Sequence, residues 1–290
     1  MNEDRPPWVA STRTPSIHLP EMACDCHAHV FGPRPRYPLI ATPKYEPPPE
    51  SWTDAYEKLH ARLGVARGVL VQPSVYGFDN ACMLDAMKAS GERVRGVAVV
   101  PPDVDEAALA RLDAAGVRGV RINSGHGLSL DALEGLAARI RPFGWHIQIF
   151  VAEASELVAI EARLRALEVE TVIDHMGRVP ADRGLDDPAF RALIGLVGDG
   201  VSWVKISWAE TLSVARAPFA DVDPMTRALV AAAPDRIIWG TDWPHTSAPR
   251  PLPDDADLVD LVARWVPDDS LRHRILVDNP ARLYGFDARL

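Results

Sequence analysis

Two histidines one residue apart, His27 and His29, stand behind Asp25 in the run CDCHAHVFGP. Further along, VIDHMGR contributes His175, and WGTDWPH contributes Asp242 with His245 three residues later. Imidazoles beside a carboxylate can move protons near neutral pH, polarise a carbonyl or ligate a divalent ion. A lone histidine at a strand end is commonly a hydrogen-bonded structural residue. Chemistry requires convergence, so the elements carrying positions 27, 175 and 242 must meet.

The chain has the rhythm to bring them together. From Cys24, short apolar runs alternate with segments of helical period: CDCHAHV then SWTDAYEKLHARLG, ARGVLVQP then NACMLDAMKASG, VRGVAVVP then DEAALARLDAAG, VRGVRIN then SLDALEGLAARIRPFG. The second half repeats the pattern with WHIQIFV, TVIDHMG, SWVKISW and RIIWGTDW, the last followed by a helical region from about Asp257 to Leu276. Near-continuous apolar strands, each followed by an amphipathic helix, predict a parallel sheet covered by helices. Eight such units in about 260 residues predict an α/β fold of the closed (β/α)8 TIM-barrel type, a single domain over 23–290, with an open doubly wound sheet as the alternative. Residues 1–22, with prolines at 6, 7, 15 and 20, read as an extended N-terminal arm. The insertion GPRPRYPLIATPKYEPPPE after the first strand reads as a stiff excursion over the barrel mouth.

In such a barrel the reactive groups gather at the C-terminal strand ends. The first strand delivers His27 and His29 to one side, by the two-residue period. The fourth delivers Arg121, the sixth Asp174, His175 and Arg178, the seventh Lys205 and Ser207, and the eighth Asp242 and His245.

DCHAHVFGP, VIDHMGR, WGTDWPH and the terminal DNPARLYGF, in that order over residues 22–286, resemble the amidohydrolase superfamily, in the branch of 2-pyrone-4,6-dicarboxylate lactonase and other small lactone hydrolases. The resemblance implies that Asp242 is the base for a water, that His27, His29 and His175 donate hydrogen bonds to the developing oxyanion, and that His245 orients the aspartate or passes on a proton. Arg121 and Arg178 match arginines that grip substrate carboxylates, and Tyr45 matches a substrate-contacting tyrosine; each also has a structural reading, as a tie for loop carbonyls or a packing residue. The implied ligand is a small anionic lactone. Departures from the branch pattern occur at Gly127, at Glu210 and Thr211, where arginines are expected, and at Phe150 and Val151, where a tyrosine is expected. They point away from the dicarboxylate pyrone, toward a monocarboxylate, sugar-acid or sulfonated lactone.

Many superfamily members hold a divalent ion through the histidine pair, a fifth-strand histidine and the eighth-strand aspartate. In WHIQIFV, His146 stands near the strand's beginning, about 13 Å short of the rim. Nor does VRGVRIN supply the lysine that bridges two metals when carbamylated. The expectation is hydrolysis without a cofactor; the alternative is one zinc on His27, His29 and Asp242, with His175 as a fourth ligand. A metal-dependent decarboxylase of aromatic or muconate-type acids reuses the same residues, and a non-catalytic binding barrel is a further alternative, opposed by the carboxylate among imidazoles.

Composition narrows the setting. The 40 acidic residues against 31 basic ones, a net charge of −9, disfavour nucleic acid or an anionic membrane as partner. Cys24, Cys26 and Cys82 are too few for a disulfide framework, and no signal peptide or membrane-length apolar run is read, so the cytoplasm is expected. Trp52, Trp203, Trp208 and Trp243 are candidates to line a pocket for an aromatic-degradation product, or else to pack the barrel. Oligomeric state is not legible.

Overall fold

The structure, a computed structural model, describes residues 13–48, 51–246 and 252–287. Eight parallel strands lie in sequence order: β1 (Cys24–Ala28), β2 (Arg67–Val71), β3 (Val94–Ala98), β4 (Val117–Asn123), β5 (His146–Phe150), β6 (Thr171–Ile173), β7 (Ser202–Ile206) and β8 (Ile237–Trp239). Helices alternate with them: α1 (Thr53–Leu63), α2 (Ala81–Ser90), α3 (Glu106–Ala114), α4 (Leu133–Ile140), α5 (Ser155–Ala166) and α6 (Pro188–Gly198), then a short α7 (Ala209–Leu212), α8 (Asp223–Ala232) and α9 (Asp255–Trp265). This is the TIM barrel the eight-fold rhythm implied, and the open sheet is set aside. The helices bury apolar faces against the outside of the sheet. Inside it, Cys24, Cys26, Val69, Val71, Val97, Val172, Trp203 and Ile238 form a separate packed layer.

Closure takes place at the level of the site. Ala28 bridges Trp243 in parallel; Asp242 N donates to His27 O and His29 N to Trp243 O, both at 2.8 Å. Gly240 makes that approach possible, since a Cβ there would meet His27 N at 2.6 Å. Asp25 pins the seam by accepting from His27 N (3.1 Å), Thr241 N (2.9 Å) and Thr241 Oγ1 (2.7 Å). The strands that carry the histidine pair and the aspartate are thus stitched together by the residues between them.

β1 departs from a regular pleat. Cys26 packs in the interior layer, while its neighbour His27 reaches Lys205 and Asp174, also inside. Two consecutive side chains cannot share one face of a regular strand, and the β1–β2 register shifts between Asp25 and Ala28 to allow it.

The closing helical region begins at Asp255, earlier than the expected Asp257, because Asp254 caps α9 by accepting from Ala256 N at 3.0 Å. It is also divided, continuing as α10 (Asp269–His273), a π turn (Arg274–Asp278) and α11 (Asn279–Tyr284). Of the expected arm, 1–12 lie outside the described residues. Residues 13–22 carry neither helix nor strand and are held to α9, with Arg13 N on Asp254 and Ser16 N and Oγ on Asp260 at 2.7 and 2.8 Å. Among the described residues no helix is long and apolar enough to cross a membrane.

Candidate active site

Asp242, just beyond β8, is buried, and three imidazoles surround one of its oxygens. From Oδ1 the distances are 3.5 Å to His27 Nε2, 3.9 Å to His29 Nε2 and 3.6 Å to His175 Nε2. The other oxygen accepts from Trp208 Nε1, and the Trp208 indole lies flat on His175, with ring centres 4.3 Å apart and planes at 10°. Six of the eight non-glycine residues with positive φ among the described residues stand here: His175, Met176, Arg178, Trp208, Asp242 and His245. Such backbone costs about 1–3 kcal/mol per residue, and its clustering at one mouth makes this end of the barrel the candidate site.

Electrostatics assign protonation states. Burial, with Arg121 nearby, lowers His29 to about 3, and burial holds His27 and His175 well below the usual histidine range; all three rings are neutral at pH 7. Burial raises Asp242 to about 7, against the opposing pull of His245 and the Trp208 hydrogen bond. His29 Nδ1–H donates to the Val71 carbonyl at 2.7 Å, so its Nε2 carries a lone pair. This corrects the expectation that all three imidazoles donate to an oxyanion: a neutral His29 has no second proton to give.

Beneath the cluster lies a polar floor. Lys205 is fully buried, and its ammonium has three acceptors within reach: Gln148 Oε1 at 2.7 Å, His27 Nδ1 at 3.1 Å and Asp174 Oδ1 at 3.3 Å. Asp174 Oδ2 also accepts from Gln148 Nε2 at 3.0 Å and Arg121 Nε at 3.3 Å. Burial alone would raise Asp174, yet the Lys205 and Arg121 cations hold it well below the usual carboxylate range. Two cations therefore share one buried anion.

The other expected residues are placed as follows. His245 donates its backbone N–H to Asp242 O, while its ring lies between Asp255 (2.9 Å) and Glu210 (3.5 Å). Burial would lower it, but those two carboxylates raise it well above the usual range. Glu210, standing where a clamp arginine was expected, thus faces His245. Arg178 holds the Val151 and Ala152 carbonyls and stacks over Phe150 (4.9 Å) and Trp208 (5.7 Å), while Arg121 covers Phe150 at 5.2 Å. Tyr45, from the insertion, packs edge-on against Phe31, with ring centres 6.2 Å apart, and burial pushes its hydroxyl up to about 12. Of the four tryptophans proposed for the pocket, Trp208 lies with its ring on the cluster, whereas Trp52 packs against Tyr37, Trp243 packs its ring against Tyr56 and meets His29 through its backbone carbonyl, and Trp203 sits in the interior layer with its Nε1 on Glu170. His146 is buried at the start of β5 with both ring nitrogens unpartnered, away from the cluster.

Lys205 was named from the sequence without a role, and Gln148 was given none. A charged residue and an amide in otherwise apolar strands, SWVKISW and WHIQIFV, were the available signals.

His27, His175 and Asp242 have ligand atoms all within 4.8 Å of one another and could hold a metal ion. A tetrahedral site with bonds of about 2.1 Å has ligand-to-ligand edges of roughly 3.4 Å; Asp242 Oδ1 stands 3.5 Å from His27 Nε2 and 3.6 Å from His175 Nε2, so these three fit one ion, whereas His29, expected among the ligands, falls outside the group.

A parallel barrel that closes around three neutral imidazoles and one carboxylate of raised pKa has the constitution of a TIM-barrel enzyme. The chain belongs to the amidohydrolase family Amidohydro_2, which matches residues 24–286. It is 39% identical to a 2-pyrone-4,6-dicarboxylate hydrolase of Comamonas testosteroni, over 96% of this chain and 94% of that one. It is 38% identical to a 4-sulfomuconolactone hydrolase of Hydrogenophaga intermedia, over 92% and 90%. An apo crystal structure of an Agrobacterium tumefaciens protein superimposes with a TM-score of 0.87 at 31% identity, over 94% of this chain and 99% of that one.

Proposed function

We propose that this protein hydrolyses a small carboxylated lactone, with Asp242 as base. One observation carries the reading: three uncharged imidazoles converge within 3.9 Å of a single buried carboxylate oxygen. Water lies against Asp242 Oδ1 and the His29 lone pair. Asp242 takes a proton as the water oxygen bonds to the ester carbon, and the carbonyl π pair moves onto oxygen. Ser207, 2.8 Å from His175 Nδ1, and Lys205, at His27 Nδ1, satisfy those nitrogens and leave Nε2–H on each ring to stabilise the oxyanion. Collapse restores the carbonyl and breaks the ring C–O bond, and the leaving oxygen recovers the proton from Asp242. The names of the Comamonas and Hydrogenophaga relatives, both lactone hydrolases, support this reaction class.

If a divalent ion is bound, His27, His175 and Asp242 would hold it, and it would supply Lewis-acid polarisation of the carbonyl. We favour hydrolysis by the protein's own groups, because Lys205 and Arg121 already leave surplus positive charge beside His27. Protein purified without chelator should contain well under one equivalent of metal by elemental analysis; stoichiometric zinc required for activity would overturn that preference. The cytoplasm, consistent with three unpaired buried cysteines, belongs to the same reading.

Screening a lactone panel by pH indicator, with and without chelator, tests the function. Acid release on ring opening is expected, whereas carbon dioxide release from aromatic or muconate acids would replace the reading with decarboxylation. Arg178→Met should raise KM at least about tenfold with a smaller change in kcat, from loss of a charge-assisted contact. An unchanged KM would leave Arg178 as a tie for the Val151 and Ala152 carbonyls alone.

A further inference from the structure

The mouth of the barrel has two halves. The imidazole cluster gathers over the ends of β1, β6 and β8. Over β2–β4 lies a separate cavity of about 320 Å³, floored by Arg121 and Asn123, with Ile40, Phe78, Val99 and Leu128 among its walls. Arg121 reaches both halves, since its guanidinium also binds Asp174 beneath the cluster. Arg121 also acts electrostatically on His29 and Asp242, so an acid group held by it in this cavity lies beside the reacting cluster.

The charge of this cavity is opposite to that of the chain. The protein carries −9 overall, yet no aspartate or glutamate lines the cavity, whereas Arg121 and Lys44 both do. Arg121 is buried, and it shares its one carboxylate with Lys205. Lys44 comes from the proline-rich insertion, is exposed, and makes no hydrogen bond or ion pair among the described residues. Gly127, also in the lining, contributes no side chain, and a Cβ there would meet nothing within 4 Å, so the cavity is open at that point.

We propose that Lys44 is a specificity-determining anion contact, and that the cavity takes a dianionic ring: one acid group on Arg121, the ring between the apolar walls, and a second acid group on Lys44. This deepens the lactone-hydrolase reading and rests on it. It also bears on the expectation that the missing arginines point away from a dicarboxylate, because the second cation is delivered from a different loop. Lysine acts as a point charge rather than a planar fork, so it accepts carboxylate and sulfonate alike.

The test uses binding, so that it is independent of turnover. Benzene-1,3-dicarboxylate and benzoate, neither of which can be hydrolysed, are titrated calorimetrically into the full-length protein and into Lys44→Met. The dianion should bind the unsubstituted protein about tenfold or more tightly than benzoate. Lys44→Met should erase that advantage while leaving benzoate affinity within about twofold, and added salt should weaken the dianion more. Arg121→Met should weaken both ligands. If the dianion binds no more tightly than benzoate, if neither binds, or if Lys44→Met retains the preference, the proposal fails. Failure to open any lactone in the panel would instead count against the hydrolase reading, whatever these ligands do.

Discussion

Asp242→Asn should retain the fold and lose about 10³-fold in kcat, the scale of a positioned general base. The asparagine carbonyl can still accept the Trp208 N–H, so the geometry of the turn is kept while the means of taking a proton from water is removed. A pH profile of the unsubstituted enzyme provides the companion measurement. With Asp242 raised to about 7 by burial, kcat/KM should rise with pH through about 7, as the active form is the carboxylate. Stability should move the other way. A carboxyl whose folded pKa lies above its unfolded value loses a stabilising contribution as pH rises toward the folded pKa, so at pH 8 the aspartate carries the full penalty of ionising in a buried site. Asp242→Asn should therefore melt at or above the unsubstituted temperature at pH 8. Rates for Asp242→Asn equal to the unsubstituted enzyme would remove Asp242 as the base, and a lowered melt would place its main role in structure.

Lys205→Met should be the most damaging substitution for stability. The change removes a fully buried ammonium from Gln148, His27 and Asp174 together, and leaves Asp174 with Arg121, Gln148 and an uncharged His27, one cation fewer. Breaking one partner of a buried ionic network costs about 3–5 kcal/mol, because the remaining charge stays desolvated. Denaturant midpoints measure the loss. Activity should fall at least about 100-fold as well, since His27 Nδ1 loses the donor that leaves its proton on Nε2. The double variant Lys205→Met with Asp174→Asn should recover part of the lost stability by removing the stranded carboxylate, with no recovery of rate. Additive losses in the double variant would mean that the two residues do not act as one network.

The barrel was legible in the sequence because its elements are repetitive and strongly patterned. Apolar strands and amphipathic helices at regular spacing admit few topologies, and the positions after each strand then name the residues that can meet at the mouth. His27, His29, His175 and Asp242 were readable on that basis, because strand order and polarity are set by local pattern and connection length. The proton arrangement was not readable. That His29 has its Nδ1 proton on the Val71 carbonyl, that Lys205 reaches His27, and that Glu210 and Asp255 flank His245 depend on atoms brought together from distant strands and helices. Nor could spacing show why Gly240 is a glycine: the need arises only when β8 closes on β1. Periodicity specifies which face of an element is buried. Charge, tautomer and the reach of Lys44 from an irregular, proline-rich loop are set by three-dimensional neighbours, and only the folded barrel supplies those.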